Sequence, residues 1–193
     1  MRVATMEYDV FFMPGYDWTY GGKLPGLCGY DCPVGCSTVA PDRGWSNRLM
    51  WRSNGRMVTY TYYPDKPKVW RCGEDWNWSK GVVGGKWYTI RMTVKMNTPG
   101  AQLADWPIKP PNDAVVEHCG RAGVADGESK AWLDGVQVVD RKNIKWTYKS
   151  DPKYGITRAY LTTYVGGSTV SMFAPDQDQY IKCGSGSDNW RQW

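Results

Sequence analysis

Apolar and polar residues alternate in short runs along most of the chain, and no stretch keeps the 3.6-residue spacing of an amphipathic helix. In Lys86 to Asn97 (KWYTIRMTVKMN), Tyr88, Ile90, Met92, Val94 and Met96 share one face of a strand, and Thr89, Arg91, Thr93 and Lys95 share the other. Trp45 to Arg52, Arg56 to Tyr63, Lys130 to Arg141 and Ile156 to Val165 read the same way, separated by Gly, Pro, Asn and Asp. Asp134-Gly135, set between apolar runs in AWLDGVQVV, predicts a two-residue hairpin turn. The pattern predicts an all-β chain of two antiparallel sheets packed face to face, one domain over residues 1–193. Thr98 to Asp113 and Lys142 to Tyr154 are expected as loops, and the tail after about residue 184 as flexible.

The same alternation places candidate chemistry. Ser46 and Arg48 fall on one face of their strand, Tyr60 and Tyr62 on one face of the next, and only a short polar connection, Ser53 to Gly55, separates the two runs. Paired as a hairpin, they set a hydroxyl, a guanidinium and two phenols on one surface. The stretch from Tyr8 to Leu27 opens as alternating strand and closes on Gly21-Gly22 and Leu24-Pro25-Gly26, so Lys23 is expected in a tightly prescribed turn that delivers its ammonium to that group. The plainer alternative is a hairpin turn that happens to hold a lysine. Arg91 and Tyr164, on polar faces of later strands, are further candidates for sugar binding, with a solvated outer face as the alternative.

Composition narrows the ligand class. Aromatic residues make up 15% of the chain, as 12 Trp and 13 Tyr against 3 Phe, a preference for rings with a polar handle that suits a carbohydrate surface. A net charge of +5 favours an anionic partner. The basic residues are dispersed and no nucleic-acid-binding motif occurs, so an acidic polysaccharide is expected and nucleic acid is not. No apolar run is long enough to span a bilayer and no leader-like segment is evident, so a soluble chain, either mature or an excised domain, is expected, and it is expected to be a monomer. The six cysteines (Cys28, Cys32, Cys36, Cys72, Cys119 and Cys183) are an even set and read as disulfides of an oxidising compartment. Zinc held by Cys28, Cys32, Cys36 and His118 is the weaker alternative, because the spacing fits no common zinc pattern. Asn77-Trp78-Ser79 is a glycosylation sequon in keeping with secretion. Asp176 and Asp178 lack the rest of a calcium cage, and no metal or cofactor is expected.

The hydroxyl, cations and phenols offer no pair of carboxylates for glycoside hydrolysis, and neither a Gly-x-Ser-x-Gly elbow nor a phosphate loop is present. They suit β-elimination from a uronic acid: cations neutralise the C6 carboxylate, and a base and an acid handle the C5 proton and the leaving O4. Lys23 and Arg48 are expected to lower the pKa of a neighbouring phenol, with Lys23 itself the alternative base. The runs YDWTYGGKLPGL, WSNRLMWR, VTYTYYP, KWYTI, AWLDG and YVGGSTVSMFAPDQDQYI together resemble the small jelly-roll polysaccharide lyases of alginate and glucuronan. Within them the chain resembles family fourteen, from chlorella viruses and marine molluscs, with the family-twenty glucuronan lyases close by. The resemblance implies a β-jelly roll with Lys23, Arg48, Tyr60 and Tyr62 as catalytic residues and Ser46 binding substrate, in a secreted or virus-delivered lyase. The cysteine-bearing insert Cys28 to Cys36, the Pro-rich loop around Pro107 to Pro111 and the ending YIKCGSGSDNW depart from that pattern. The rival expectation is a non-catalytic carbohydrate-binding module or lectin on the same jelly roll, which needs no residue that exchanges a proton.

Overall fold

A computed structural model of the chain describes residues 1–37, 39, 43–69, 72–100, 123–165, 179–182 and 190–192. The strands among them are β1 (Val3–Phe12), β2 (Gly22–Gly29), β3 (Trp45–Trp51), β4 (Met57–Tyr62), β5 (Glu74–Asn77), β6 (Lys86–Lys95), β7 (Gly127–Leu133), β8 (Val136–Ile144), β9 (Arg158–Tyr160), β10 (Tyr164–Val165), β11 (Gln179–Lys182) and β12 (Trp190–Gln192). Two short 3₁₀ turns, Ser53–Gly55 and Pro152–Tyr154, are the helical elements of this set. A first sheet runs β12-β11-β1-β6-β7-β8, and a second runs β10-β2-β3-β4-β5 with β9 also on β2. Neighbours within each sheet are antiparallel, giving the expected all-β, jelly-roll type of sandwich.

Alternation explains the core. Tyr8, Val10 and Phe12 of β1, with Tyr88, Ile90, Met92 and Val94 of β6, point inward against Leu24 and Leu27 of β2, Trp45, Leu49 and Trp51 of β3, and Met57 of β4. The Trp45 ring lies 4.8 Å from that of Trp146, and its indole N–H donates to the Tyr154 carbonyl at 3.0 Å, so a large buried ring keeps its one polar atom satisfied. On the far side of the first sheet, Glu7–Arg91 and Lys95–Glu128 form cross-strand ion pairs in contact with water, and Lys130 shares Glu128 along β7. β7 and β8 meet in the expected Asp134-Gly135 turn, with φ of 50° and 77°, the left-handed conformation that this dipeptide favours.

One polar strut crosses between the sheets. The Asn47 Nδ2 of β3 donates to Ser129 Oγ of β7 at 2.7 Å, and its Oδ1 accepts from Thr61 Oγ1 at 2.9 Å, all three residues being buried. Asn47→Leu fills the same space but strands two buried hydroxyls, each costing about 1–3 kcal/mol. The variant is expected to unfold at a lower denaturant concentration with an unchanged slope, a loss of about 2–6 kcal/mol.

Several expectations need correction. Lys23 lies in strand β2, not in a turn: Gly22 and Lys23 pair with Trp51 and Met50, and the Gly/Pro residues that follow make a bulge between Leu24 and Gly26. Pro25 occupies that bulge, where its missing N–H costs no ladder bond. The run Ile156 to Val165 is not one strand but β9 and β10, which pair with β2 on either side of Pro25, at 26–28 and 22–23. β8 extends to Ile144, into the expected loop, and the expected flexible tail contributes β12. β3 and β4 are buried at every position, so the second face of their sheet is covered as well as its core face.

Candidate active site

The hairpin of β3 and β4 turns through Ser53–Gly55 as expected, and its register sets Ser46 opposite Tyr62 and Arg48 opposite Tyr60. Continued across the sheet, the Arg48 row reads Tyr160, Gly26, Arg48, Tyr60, Asp75. These residues face away from the core, together with Met50, Val58 and Lys23. Gly26 is the reason Arg48 fits: a Cβ there would lie 2.5 Å from the Arg48 Cα. The Arg48 guanidinium reaches across β2 to Tyr160, 5.3 Å from the ring centroid.

Arg48 is 2% exposed, and its Nε and Nη2 atoms are buried with no hydrogen-bond partner among the described residues. These two donors form one planar edge, the edge that receives a carboxylate two-pronged. A neighbour shows the satisfied form: Arg52 Nε and Nη2 bind the two carboxylate oxygens of Asp75 at 3.0 and 2.6 Å. Arg52 also lies 5.3 Å over the Tyr60 ring, and Lys23 Nζ lies 6.0 Å from the same centroid.

Three cations on one half-buried face act most strongly on the one that can lose its proton. Burial, then repulsion from Arg48 and Arg52, brings the Lys23 ammonium down from 10.5 to about 8, against an opposing pull from Asp75. For Tyr60 the outcome is the reverse of the expected lowering. Burial, reinforced by the hydrogen bond with Tyr62, pushes the phenol well above its ordinary value, and the Gly73 N–H and Arg52 pull it only weakly back. Lys23 is therefore the group poised to accept a proton near neutrality, and Tyr60 one that stays protonated there.

The phenols are held from above. Tyr60 and Tyr62 hydroxyls lie 3.1 Å apart, Cys36 N–H donates to Tyr62 Oη at 3.0 Å, and Gly73 N–H donates to Tyr60 Oη at 2.9 Å. Cys36 and Cys72 form a disulfide beside these donors, and Cys28–Cys32 forms a second. Those four cysteines are thereby unavailable as zinc thiolates; Cys119, Cys183, His118, Asp176 and Asp178 lie outside the described residues. Ser46 Oγ donates to the Pro33 carbonyl at 2.6 Å, so its hydroxyl anchors the insert between the cysteines.

Two candidates stand differently. Arg91 is on the outer face of the first sheet, 2.6 Å from Glu7, and is not brought to the group. Tyr164 is the backbone partner of Lys23 across β10 and β2. Arg52, Asp75, Gly73 and Tyr160 went unrecognised in the sequence. Arg52 was within reach of the alternation argument, since it continues the Ser46, Arg48, Met50 face by two residues; the others needed the register and the loop path.

A sequence model of the family described as Polysaccharide lyase 14 matches residues 1–108, which carry β1 to β6 and the whole Lys23–Asp75 group. No curated protein sequence matches the chain. Among solved structures, the fold is shared with the alginate lyase Aly36B, at a TM-score of 0.71 and 21% identity over 94% of this chain and 68% of that one. The alginate lyase vAL-1 from a Chlorella virus gives a TM-score of 0.68 at 22% identity, covering 94% of this chain and 69% of its own. The marine PL-14 alginate lyase from Aplysia kurodai gives 0.66 at 23%, over 94% and 68%.

Proposed function

The chain belongs to polysaccharide lyase family 14, and on that premise we propose that it cleaves a uronic-acid polysaccharide, alginate or glucuronan, by β-elimination. The observation that carries the reading is the buried Nε/Nη2 edge of Arg48, without a partner among the described residues, which suits a two-pronged carboxylate contact opposite Tyr60 and close to a lysine with a lowered pKa. Aly36B has been seen with alginate tri- and tetrasaccharides bound, which supports an anionic polymer as the partner.

In this reading Arg48 holds the C6 carboxylate and spreads the charge of the enolate that forms as C5 loses its proton. The neutral Lys23 amine takes that proton. The C5–H electron pair becomes the C4=C5 double bond, and the C4–O4 bond breaks with its pair on O4. Tyr60 supplies the proton that O4 needs, and the ammonium of Lys23 restores it through solvent. The products are a reducing end and an unsaturated uronate end. A binding module would use the arginine fork but has no need of a lysine held near neutrality. Two disulfides fit an oxidising, extracellular setting, where such a polymer is met as cell wall or matrix.

Incubation with polyguluronate, polymannuronate, glucuronan and pectate, followed by ultraviolet absorbance of the unsaturated product, tests the reading. Absorbance should grow on at least one of the first three; binding without absorbance on all of them would make the protein a lectin. The pH profile carries the sign of the Lys23 shift. Below about 8 the amine is protonated and inert as a base, so kcat/KM should climb with pH and level off above it. Arg52→Gln removes a cation that favours the neutral amine and leaves Asp75 to favour the charged one, so the rising limb should move to higher pH.

A further inference from the structure

We propose that the Cys36–Cys72 disulfide is a positioning clasp for proton delivery, holding one backbone N–H on each phenol so that a single phenolic proton remains to be given to the substrate. The inference rests on the lyase reading and assigns a task to residues that the reading itself does not require.

Each phenol oxygen has one O–H to donate and lone pairs to accept. Cys36 N–H is spent on Tyr62 and Gly73 N–H on Tyr60, both from the loops that the disulfide joins. The contact between the phenols uses one of their two protons. The other has no acceptor among the described residues. Tyr62 is 1% exposed beneath the cysteine insert, whereas Tyr60 is the phenol beside Lys23 and Arg52, so Tyr60 is the donor to substrate and Tyr62 donates to Tyr60.

That arrangement also prepares the anion left behind. When the Tyr60 proton passes to O4, the phenolate oxygen already receives Gly73 N–H at 2.9 Å and Tyr62 O–H at 3.1 Å, and Tyr62 is itself polarised by Cys36 N–H. Gly73 is fixed as glycine by the same geometry: a Cβ would lie 2.7 Å from atoms of both the Tyr60 and Tyr62 rings. Cys72 packs against the cluster of Met50, Val58, Tyr60 and Tyr62, so the disulfide and the phenols are one packed unit.

The test uses the full chain with three variants: Cys36→Ser/Cys72→Ser, Gly73→Ala and Tyr60→Phe. The double serine variant, assayed well below its melting temperature, is expected to lose about 10- to 100-fold in kcat with KM within a few-fold of wild type. Gly73→Ala keeps the disulfide but displaces the donor and should show the same split. A disulfide that only stabilises the fold would lower Tm and leave kcat alone, so wild-type kcat in the folded double variant overturns the proposal. If that variant does not fold, wild-type kcat in Gly73→Ala overturns it. Tyr60→Phe separates the two levels: inactive Tyr60→Phe beside active clasp variants removes the clasp alone, and active Tyr60→Phe removes the reading of Tyr60 and the clasp with it.

Discussion

A Lys23→Met variant is expected to lose between about 10² and 10⁴ in kcat, the usual contribution of a positioned base, while its affinity for the polymer changes little. The same substitution should make the protein more stable. Folding brings the Lys23 pKa from 10.5 to about 8, so between those values the unfolded chain holds more protons than the folded one, and stability rises with pH across that window. Below about 8 the full cost of an ammonium in this half-buried, cationic setting is present. Methionine removes that cost, so the variant should melt above wild type at pH 7, with the advantage fading from pH 8 to 10.5. Thermal melts at pH 7 and pH 10 beside steady-state kinetics check both halves. An inactive variant that also melts lower at pH 7 would place Lys23 in a structural role.

Arg48→Lys is the second large effect. The charge is kept but the planar edge is lost, and a single ammonium cannot replace the two donors that Nε and Nη2 present. One charge-assisted hydrogen bond contributes about 1.5–3 kcal/mol, so kcat/KM should fall on the order of 10- to 100-fold if the contact is fully expressed in the transition state. Methyl esterification of the polymer supplies the matching change on the substrate side. Wild type should discriminate strongly against the ester, and Arg48→Lys much less, because the partner of the lost contact is the group that the ester masks. Equal discrimination by both proteins would remove Arg48 from carboxylate binding.

Much of this arrangement was open to reading from the alternation of residues. Ser46, Arg48, Tyr60 and Tyr62 could be put on one surface because period-two strands joined by three residues leave little choice of register, and the structure pairs them directly. Lys23 departs from the turn that its sequence predicts for a physical reason. Glycine and proline usually mark turns, but here they serve close packing within a strand. At Gly22 a Cβ would sit 2.0 Å from the Trp51 ring, Gly26 gives passage to Arg48, and Pro25 rides a bulge. The Tyr60 shift runs opposite to the expected lowering because burial cannot be read from strand periodicity when both faces are covered. In such a setting desolvation outweighs the cations for Tyr60 and works with them for Lys23. The ion pair of Arg52 with Asp75 and the Cys36–Cys72 disulfide depend on chain separations of 23 and 36 residues, which no local pattern encodes.

The burial of β3 and β4 on both faces has a consequence for how heat destroys the protein. In many enzymes the working residues sit on loops that loosen before the scaffold does. Here Arg48 and Tyr60 stand on interior strands, laddered on both sides, whose amides belong to the class that exchanges with deuterium only when the whole domain opens. Their geometry therefore outlasts the fraying of edge strands such as β12, and warming leaves them in register until the sandwich itself gives way.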